Sequence, residues 1–456
     1  MKFIPFKFLL FSSVIVLLSS CLGKTDAVVL SSDASFISLT FTANDSIPYL
    51  STAVFTLEDS TIVNLDSLPF NTRIDSVFPR FTFATTSGSI LIYPSGSKKD
   101  TVVITGKDTI DFRQPVRLIN YASDAKTPSK KYTIKVNVHK VNPESYVWSK
   151  VNGDLYPGNA TNQKAIVLNE NIFYYLNDGA NNITYSSLNG YTWNTFPVNN
   201  LPANVSLRSM VQFNGKLFVT HGGDKIYTSV NGIDWSINNY VGVDYSFKSL
   251  LFGLKDSIHA ITQSKTDQKY HFASSKDGVS WKIQGATLDA KFPVSDFDAL
   301  SFSSRTGKAK AIIIGGLDSN GALLNTRWST ENGLYWVDFS LENRSLDTLA
   351  AGASVVAYTN KLLLFGVRND KSAYVRHFKQ SIDEGLTWQT PDSTFNFLPA
   401  TLGDRSFQSV VVVDDKTNPL VVDKANRIFV IGGKTITSVL SDVWTGKLNK
   451  KGFTRP

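Results

Sequence analysis

A nine-residue phrase that occurs five times constrains the fold of this chain more than any other feature. Each copy places Asn or Asp shortly before Gly and closes on Trp, and the fifth copy has one extra residue between the acid and the glycine. The closing tryptophans are separated by 42, 46, 55 and 52 residues. That period suits four-stranded units arranged as a β-propeller with loops of variable length. The five copies span residues 185–193, 227–235, 273–281, 328–336 and 380–388.

Two short apolar runs precede each copy, as residues 165–168 and 172–175 do before the first. Runs of four or five residues rich in Val, Ile and Phe are typical of buried strands. A sixth pair of runs, 409–413 and 427–431, is followed by no closing phrase. We therefore predict a six-bladed β-propeller over residues 146–456.

The sixth unit lacks a closing Trp, so its outer strand has to come from another part of the chain. Trp148 lies 45 residues before Trp193, one period early, and its neighbours resemble the strands that follow the phrases. We predict that residues 146–151 form the outer strand of the last blade and close the ring. The alternative is that the segment from Gly452 closes it, with Phe453 in place of Trp.

The region 34–141 contains about eight short runs that alternate apolar and polar residues, with turn residues between them. Such alternation is typical of antiparallel strands with one buried face. The strand count predicts an Ig-like β-sandwich, although the region has neither the Cys nor the Trp of an antibody core. Together with an aromatic content of 12%, both regions predict an all-β protein, with the boundary near Pro143.

Residues 1–21 read as the signal peptide of a bacterial lipoprotein. Lys2 and Lys7 precede an apolar stretch too short to span a bilayer, and small residues then lead to Cys21, the only cysteine of the chain. We expect Cys21 to be lipidated and to anchor the protein in the membrane through residues 22–33, a short tether. The predicted location is the bacterial cell envelope, at the outer membrane. The alternative is an ordinary secretory signal with an incidental cysteine.

The repeated residues of the phrase suit a structural task in every blade. Asn or Asp accepts backbone hydrogen bonds in a tight turn, Gly adopts a positive φ, and Trp fills the wedge between blades. We assign this task to Asn189, Trp193, Asn231, Trp235, Asp277, Trp281, Asn332, Trp336, Asp383 and Trp388.

The fifth phrase resembles the Asp-box of the sialidase and BNR-repeat superfamily, whereas the other four are one residue shorter. Gly-Gly doublets at 222–223, 315–316 and 432–433 resemble kelch repeats. With its lipoprotein signal and N-terminal sandwich, the chain resembles a family of uncharacterised bacterial outer-membrane lipoproteins. That resemblance implies a fold and a location and carries no activity. We call the five phrases boxes below.

Several function classes are disfavoured by the sequence. The formal charge of +8 is spread over the chain without a basic run, so we expect no nucleic-acid partner. The first blade has no Arg, whereas the resemblance to sialidases would require an Arg-Ile-Pro or Arg-Leu-Pro segment there. The five histidines show no metal-ligand spacing. We expect neither a metal nor another cofactor.

We predict a binding or scaffold protein that holds a glycan or an envelope protein on one face of the propeller, and we expect a monomer. The box turns belong to the other face, so the ligand face carries the loops between the second and third strands of each blade and the loops between blades. The alternative is a glycoside hydrolase, not a sialidase, acting on the same face through two carboxylates. The candidate binding residues are Tyr240, Tyr245, Asp318, Asn320, Arg368, Asp370, Asp404 and Arg405.

Overall fold

The computed structural model describes residues 29–43, 47–93, 101–125, 129–239, 244–341, 351–368, 377–391, 398–414 and 426–449. Strands dominate these residues, and their only helices are four short 3-10 turns. None of the helices in the described ranges has the length and apolarity needed to cross a bilayer. The chain divides into two compact units, Met1–Asn142 and Pro143–Pro456. Cys21 and the predicted signal peptide lie outside the described residues.

Eight strands form the described part of the first unit. Six of them form one sheet in the order β2-β3-β8-β7-β5-β6, in which β3 and β8 run parallel, and the other two form the ladder β1-β4. Leu39 and Phe41 of β1 belong to the same hydrophobic cluster as Leu91, Leu118 and Ile134 of the larger sheet. The strands are β1 (Phe36–Phe41), β2 (Thr56–Glu58), β3 (Thr61–Val63), β4 (Pro79–Phe83), β5 (Gly88–Ile92), β6 (Thr101–Val103), β7 (Val116–Tyr121) and β8 (Lys130–Lys135).

Six antiparallel sheets follow one another along the second unit, and we number them 1 to 6 in chain order. Sheet 1 consists of β10 (Asn162–Leu168), β11 (Asn171–Asn177), β12 (Asn182–Ser187) and β13 (Asn194–Thr195). Sheet 2 consists of β14 (Val211–Phe213), β15 (Lys216–His221), β16 (Lys225–Ser229) and β17 (Ser236–Asn239). Sheet 3 consists of β18 (Tyr245–Leu254), β19 (Ser257–Ser264), β20 (Tyr270–Ser275) and β21 (Lys282–Thr287).

Sheets 4 to 6 follow the same arrangement, except that the fourth strand of sheet 6 comes from the beginning of the second unit. Sheet 4 consists of β22 (Asp298–Ser303), β23 (Ala309–Ile314), β24 (Arg327–Thr330) and β25 (Val337–Asp338). Sheet 5 has the described strands β26 (Ser354–Tyr358), β27 (Lys361–Phe365) and β28 (Lys379–Ser381). Sheet 6 consists of β29 (Ser409–Asp414), β30 (Asn426–Lys434), β31 (Val439–Leu448) and, from far upstream, β9 (Tyr146–Asn152).

The first strand of each sheet lines a central channel. A cavity of about 350 Å³ is bordered by residues of all six first strands. Each of these strands contacts the next, and β29 of sheet 6 contacts β10 of sheet 1. The six sheets therefore surround one axis.

Sheet 6 is completed by β9, which pairs antiparallel with β31. The register places Tyr146 opposite Leu448 and Trp148 opposite Gly446. This is the pairing that the spacing of Trp148 predicts. The alternative strand, which contains Phe453, lies outside the described residues.

The box turns are held by side-chain hydrogen bonds within each turn. In the first box, Asn189 Oδ1 accepts the backbone N–H groups of Tyr191 and Thr192 at 2.8 and 3.0 Å, and Ser187 Oγ accepts that of Gly190 at 2.8 Å. The indole of Trp193 donates to the Gly190 carbonyl at 3.0 Å. These bonds satisfy backbone groups that a tight turn would otherwise leave without partners.

Every box glycine lies against a side chain on the second strand of the preceding sheet. All five have φ between +72° and +94°, where a side chain is strained. A Cβ at any of the five would overlap that neighbouring side chain. The pairs are Gly190 with Phe429, Gly232 with Phe173, Gly278 with Phe218, Gly333 with His259, and Gly385 with Ile312. The boxes therefore fasten sheets 2 to 5 each to the sheet before it and sheet 1 to sheet 6, whereas sheet 6 has no box of its own.

The extra residue of the fifth box, Glu384, adds a polar link between sheets 5 and 4. Its backbone has φ +60°, and its carboxylate accepts the N–H of Arg305 at 2.9 Å and the ammonium of Lys310 at 2.7 Å. The hydrogen bond from Lys310 lowers the pKa of this carboxyl group. The extra residue of the fifth box thus places a carboxylate within reach of the neighbouring sheet. The four shorter boxes have no residue at this position.

We expect Gly232→Ala to destabilise the protein more than Gly215→Ala, a matched control in the same sheet. Both glycines have positive φ, so each alanine costs about 1 kcal/mol in backbone strain. Only Gly232 faces an obstacle: its Cβ would lie 2.6 Å from the ring of Phe173, whereas nothing lies within 4 Å at Gly215. That overlap adds about 1–3 kcal/mol. Urea unfolding of both variants measures the difference, and equal losses would contradict the fastening role.

We expect His259→Phe to make the protein less sensitive to acid. Burial lowers the pKa of His259 from 6.5 to about 4, which a nearby Asp256 only partly opposes. Between these values the unfolded chain binds a proton that the folded chain does not, so stability is complete above pH 6.5 and falls as the pH drops towards 4. The loss amounts to about 3 kcal/mol.

Phenylalanine suits this position because Phe429, Phe173 and Phe218 occupy it in three other sheets. Unfolding free energies of the parent and the variant, measured from pH 7.5 down to the acid limit of folding, give the comparison. The stability of the variant relative to the parent should rise as the pH falls from 6.5 towards 4, since the other groups titrate alike in both proteins. Parallel curves would show that His259 is not the acid-sensitive group.

Candidate functional site

A second cavity, of about 450 Å³, lies at the end of the channel where the first strands begin. Most of its lining residues lie at the start of the first strands of sheets 1, 2, 3, 4 and 6 or just before them, and Lys434 and Val439 come from the second and third strands of sheet 6. We call it the mouth cavity. It is lined by Thr161, Asn162, Gln163, Ser206, Arg208, Ser209, Lys248, Ser249, Ser295, Asp296, Phe297, Phe407, Lys434 and Val439.

Arg208 has the most unusual environment in the mouth cavity. It lies on a single 3-10 turn, Leu207–Ser209, that is fixed by the buried side chain of Leu207 and by a hydrogen bond of 2.8 Å between Ser209 and Thr220. All three guanidinium nitrogens are buried, and no acceptor in the described part of the chain bonds to them. A buried charged group without acceptors is costly, and buried polar groups in proteins are normally paired.

Phe407 lies beside this guanidinium. Its ring centroid is 5.3 Å from Arg208 Cζ and 4.5 Å from Lys434 Nζ, so two cations lie near one aromatic ring. The backbone of Phe407 has φ +58°, a conformation that bulky residues rarely adopt. Its N–H donates to the Gly352 carbonyl at 2.6 Å, and the Gly352 N–H donates to that of Asp296 at 2.8 Å.

Gly352 makes room for the Phe407 ring. A Cβ at this glycine would lie 2.6 Å from the ring. A residue with positive φ lies just before the first strand of three successive sheets: Asp296 in sheet 4, Gly352 in sheet 5 and Phe407 in sheet 6. The chain of hydrogen bonds between them crosses three sheets, so the position of the aromatic ring depends on the ring of sheets and not on one turn alone.

The charged side chains of the mouth cavity are mostly basic. Arg208, Lys248 and Lys434 line it, against one carboxylate from Asp296 among the described residues. Cations gathered around a concave site raise the local concentration of anions.

A partly buried ion pair lies deeper, in the channel itself. Lys164 Nζ is 3.9 Å from the carboxylate of Asp298, which also accepts the Val355 N–H at 2.6 Å. Burial lowers the pKa of Lys164, Arg208 lowers it as well, and Asp298 opposes both. The excess of basic groups therefore belongs to the mouth cavity.

The rim residues predicted from the sequence have other surroundings. Tyr245 is half-buried and packs edge-on against His271, with ring centroids 5.7 Å apart. Asp318 accepts the N–H groups of Asn320 and Ala322 at 2.8 Å each, which stabilises its own loop. Asp404 is exposed and Arg368 is half-buried. Tyr240 and Asp370 lie outside the described residues.

Arg405 is held inside the protein. Its guanidinium pairs with Asp442 of β31, with one nitrogen at 2.5 Å and the other at 3.1 Å, and it also donates to the carbonyls of Gly432 and Leu402. The indole of Trp444 donates to the same carboxylate at 2.8 Å. Because both terminal nitrogens of its buried guanidinium are hydrogen-bonded, Arg405 stabilises sheet 6.

The mouth cavity includes none of the predicted rim residues that the structure describes. The sequence prediction included loops between blades but missed Arg208, Lys248 and Lys434, because nothing in the residue types shows which loop residues turn into the channel mouth. Arg208, Lys248 and Phe407 each lie two residues before the first apolar run of their unit, so alignment of these runs would have brought them to the same position. Within the described ranges, no three His, Cys, Asp or Glu residues cluster closely enough to hold a metal ion.

Solved structures similar to this chain include that of YjhT, at 11% identity and a TM-score of 0.42, covering 63% of this chain and 95% of that one. A protein of unknown function from Dyadobacter fermentans is 11% identical with a TM-score of 0.40, covering 66% and 99%. YCF48 bound to a D1 peptide is 13% identical with a TM-score of 0.37, covering 68% and 98%. At these scores the similarities carry no argument about function.

None of the curated proteins matches the chain. Two family models do. The DUF6242 beta propeller domain matches residues 142–456, and the DUF6242 N-terminal domain, a domain of unknown function, matches residues 29–136. The first match alone covers more than half of the chain, so this all-β protein belongs to the DUF6242 family and contains its β-propeller domain.

Proposed function

We propose that this protein is a lipid-anchored binding protein of the bacterial cell envelope, which holds a glycan or a protein segment in the mouth cavity of its propeller. The observation that carries the proposal is the Arg208 guanidinium, buried in a concave site without an acceptor from the described chain. Concave sites of 300–1,000 Å³ with a few convergent polar groups are the usual form of ligand sites in proteins.

We propose that sheets 1 to 6 are the six blades of the propeller. Two observations support this count: the channel is bordered by the first strands of all six sheets, and the Gly190 box of sheet 1 lies against Phe429 of sheet 6. We also propose that the first unit is a two-layer sandwich of the Ig-like class. The shared cluster of β1 residues and residues of the six-stranded sheet supports it.

The anchor is proposed at Cys21, with the outer membrane as location. Acyl chains on a single N-terminal cysteine are enough for stable attachment when more than one chain is present. A propeller tethered in this way would act as a monomer that meets its ligand outside the cytoplasm.

The alternative is a glycoside hydrolase on the same face. Asp296, a carboxylate in the mouth cavity, is the observation that favours it. A hydrolase of this type needs a second carboxylate, but the carboxylate of Asp298, two residues further, already pairs with Lys164 and accepts the Val355 N–H. We therefore prefer the binding function. Release of sugar from any glycan by the protein, abolished in Asp296→Asn, would establish the hydrolase instead.

We expect Ser206→Trp to abolish ligand binding by filling the mouth cavity. Ser206 is exposed at the cavity wall, and its hydroxyl caps no backbone group of the adjacent turn. Leu188→Trp, at a box turn where Leu188 is 65% exposed, is the matched control and should bind normally. Full-length protein in detergent, applied to a glycan array and to envelope extracts, gives the readout. Ligand retention by the Ser206 variant would place the site elsewhere.

We expect Cys21→Ser to release the protein from the membrane. Serine provides no thiol for thioether acylation, so the chain loses its anchor. Membrane fractionation of cells, with mass spectrometry of the mature N-terminus, checks both the location and the acyl chains. An unmodified Cys21, or a serine variant that stays in the membrane fraction, would contradict the lipoprotein assignment.

A further inference from the structure

We infer that the ligand is an acidic sugar whose carboxylate is bound by Arg208. This inference rests on the proposed binding function of the mouth cavity and names the chemical class that the cavity selects. Neither the family match nor the repeats of the sequence point to this class. It follows from the charges, the hydroxyl groups and the aromatic surfaces that meet in one cavity.

The guanidinium of Arg208 provides the anchor. Arginine presents five N–H donors in a planar fork that matches a carboxylate through two parallel hydrogen bonds. Here all three nitrogens are buried without an acceptor in the described chain, and Phe407 holds the group at 5.3 Å. An incoming carboxylate would supply both the missing acceptors and the opposite charge, so binding removes the cost of an unpaired buried cation.

Lys248 and Lys434 favour a ligand with a negative charge. Both line the same cavity, and Lys434 lies over the same aromatic ring as Arg208. Because Lys248 is exposed, it acts mainly through the field of the cavity and less through a fixed contact. Salt screens such fields over about 8–10 Å, so binding of an anion should weaken as ionic strength rises.

The rest of the lining favours a sugar over an acidic peptide. Hydroxyl and amide side chains border the cavity, and these can both donate and accept, as sugar hydroxyls do. Phe297 and Phe407 supply apolar surface on which the carbon face of a sugar ring can pack. The accessible hydroxyl and amide residues are Thr161, Asn162, Ser206 and Ser295, whereas Gln163, Ser209 and Ser249 are buried and bonded within the protein.

Calorimetric titration of the full-length protein in detergent tests the inference with four probes. They are digalacturonic acid, the neutral disaccharide galactobiose, sodium acetate and inorganic phosphate. We expect digalacturonic acid to bind at least about tenfold more tightly than galactobiose, since a charge-assisted bidentate pair contributes that much or more. Acetate and phosphate should bind more weakly than the acidic disaccharide because they lack the sugar contacts.

Variants at Arg208 separate its charge from its geometry. Arg208→Gln should weaken binding of digalacturonic acid at least about tenfold and leave binding of the neutral sugar unchanged. Arg208→Lys should recover only part of the affinity, since an ammonium lacks the planar fork. Lys216→Gln, an exposed lysine at the far end of the β14–β15 hairpin, is the control with the same loss of charge.

A stability measurement distinguishes a ligand anchor from a structural residue. If Arg208 serves ligand binding and not the fold, Arg208→Met should leave the unfolding midpoint of the ligand-free protein unchanged or raise it. The reason is that the substitution removes a buried charge that has no acceptor in the described chain. A large drop in the midpoint would show that the guanidinium serves the fold and would overturn the inference.

The binding outcomes separate this inference from the proposed function. Equal binding of galactobiose and digalacturonic acid, blocked by Ser206→Trp, would overturn the acidic class and leave the binding site in place. Acidic sugar binding that survives Ser206→Trp would overturn the site itself. Acetate or phosphate binding as tightly as the disaccharide would show a site for a simple anion, and binding of none of the probes would refute the inference.

Discussion

The contact between a box glycine and the preceding sheet is the interaction on which the rest of the second unit depends. Only a residue without a side chain fits there, because φ is positive and an aromatic ring, an imidazole or an isoleucine occupies the space of a Cβ. Repeated five times, the contact brings five of the six pairs of neighbouring sheets close together. At Gly190 it joins the first sheet to the last, and β9 completes that last sheet, so the two ends of the repeat region are fastened to each other.

Because the box turns that join the sheets lie at one end of the channel, the residues at the opposite end are not constrained by these contacts. Polar and basic residues collect at that end, where the first strands begin and no repeat phrase dictates the sequence. The hydrogen bonds from Phe407 to Gly352 and from Gly352 to Asp296 hold the aromatic ring beside Arg208. That guanidinium has no acceptor among the described residues, and the packing of the surrounding sheets can offset the resulting desolvation cost.

The fold could be predicted from local chemistry to a large extent. The Asn-Gly and Asp-Gly pairs, the spacing of the tryptophans and the early position of Trp148 predicted repeated sheets and the source of the last strand. These signals are readable because they come from turns and strands, whose hydrogen bonds join residues close in the sequence. The contacts between the box glycines and the preceding sheet could not be predicted from the sequence. Phe173 and Gly232, for example, are almost sixty residues apart and meet only when two sheets pack together.

The candidate site shows the same division. The sequence favoured one face of the propeller, and the mouth cavity opens at the end where the first strands begin. It also offered Arg405 as a candidate for that face, whereas the structure buries Arg405 against Asp442 and leaves the nitrogens of Arg208 without an acceptor in the described chain. Nothing in the residue type separates these two arginines. By itself the sequence determined an all-β chain of repeated units, because turn geometry and strand periodicity are local. Only the tertiary structure decided which charges are paired, because pairing depends on groups brought together from distant sheets.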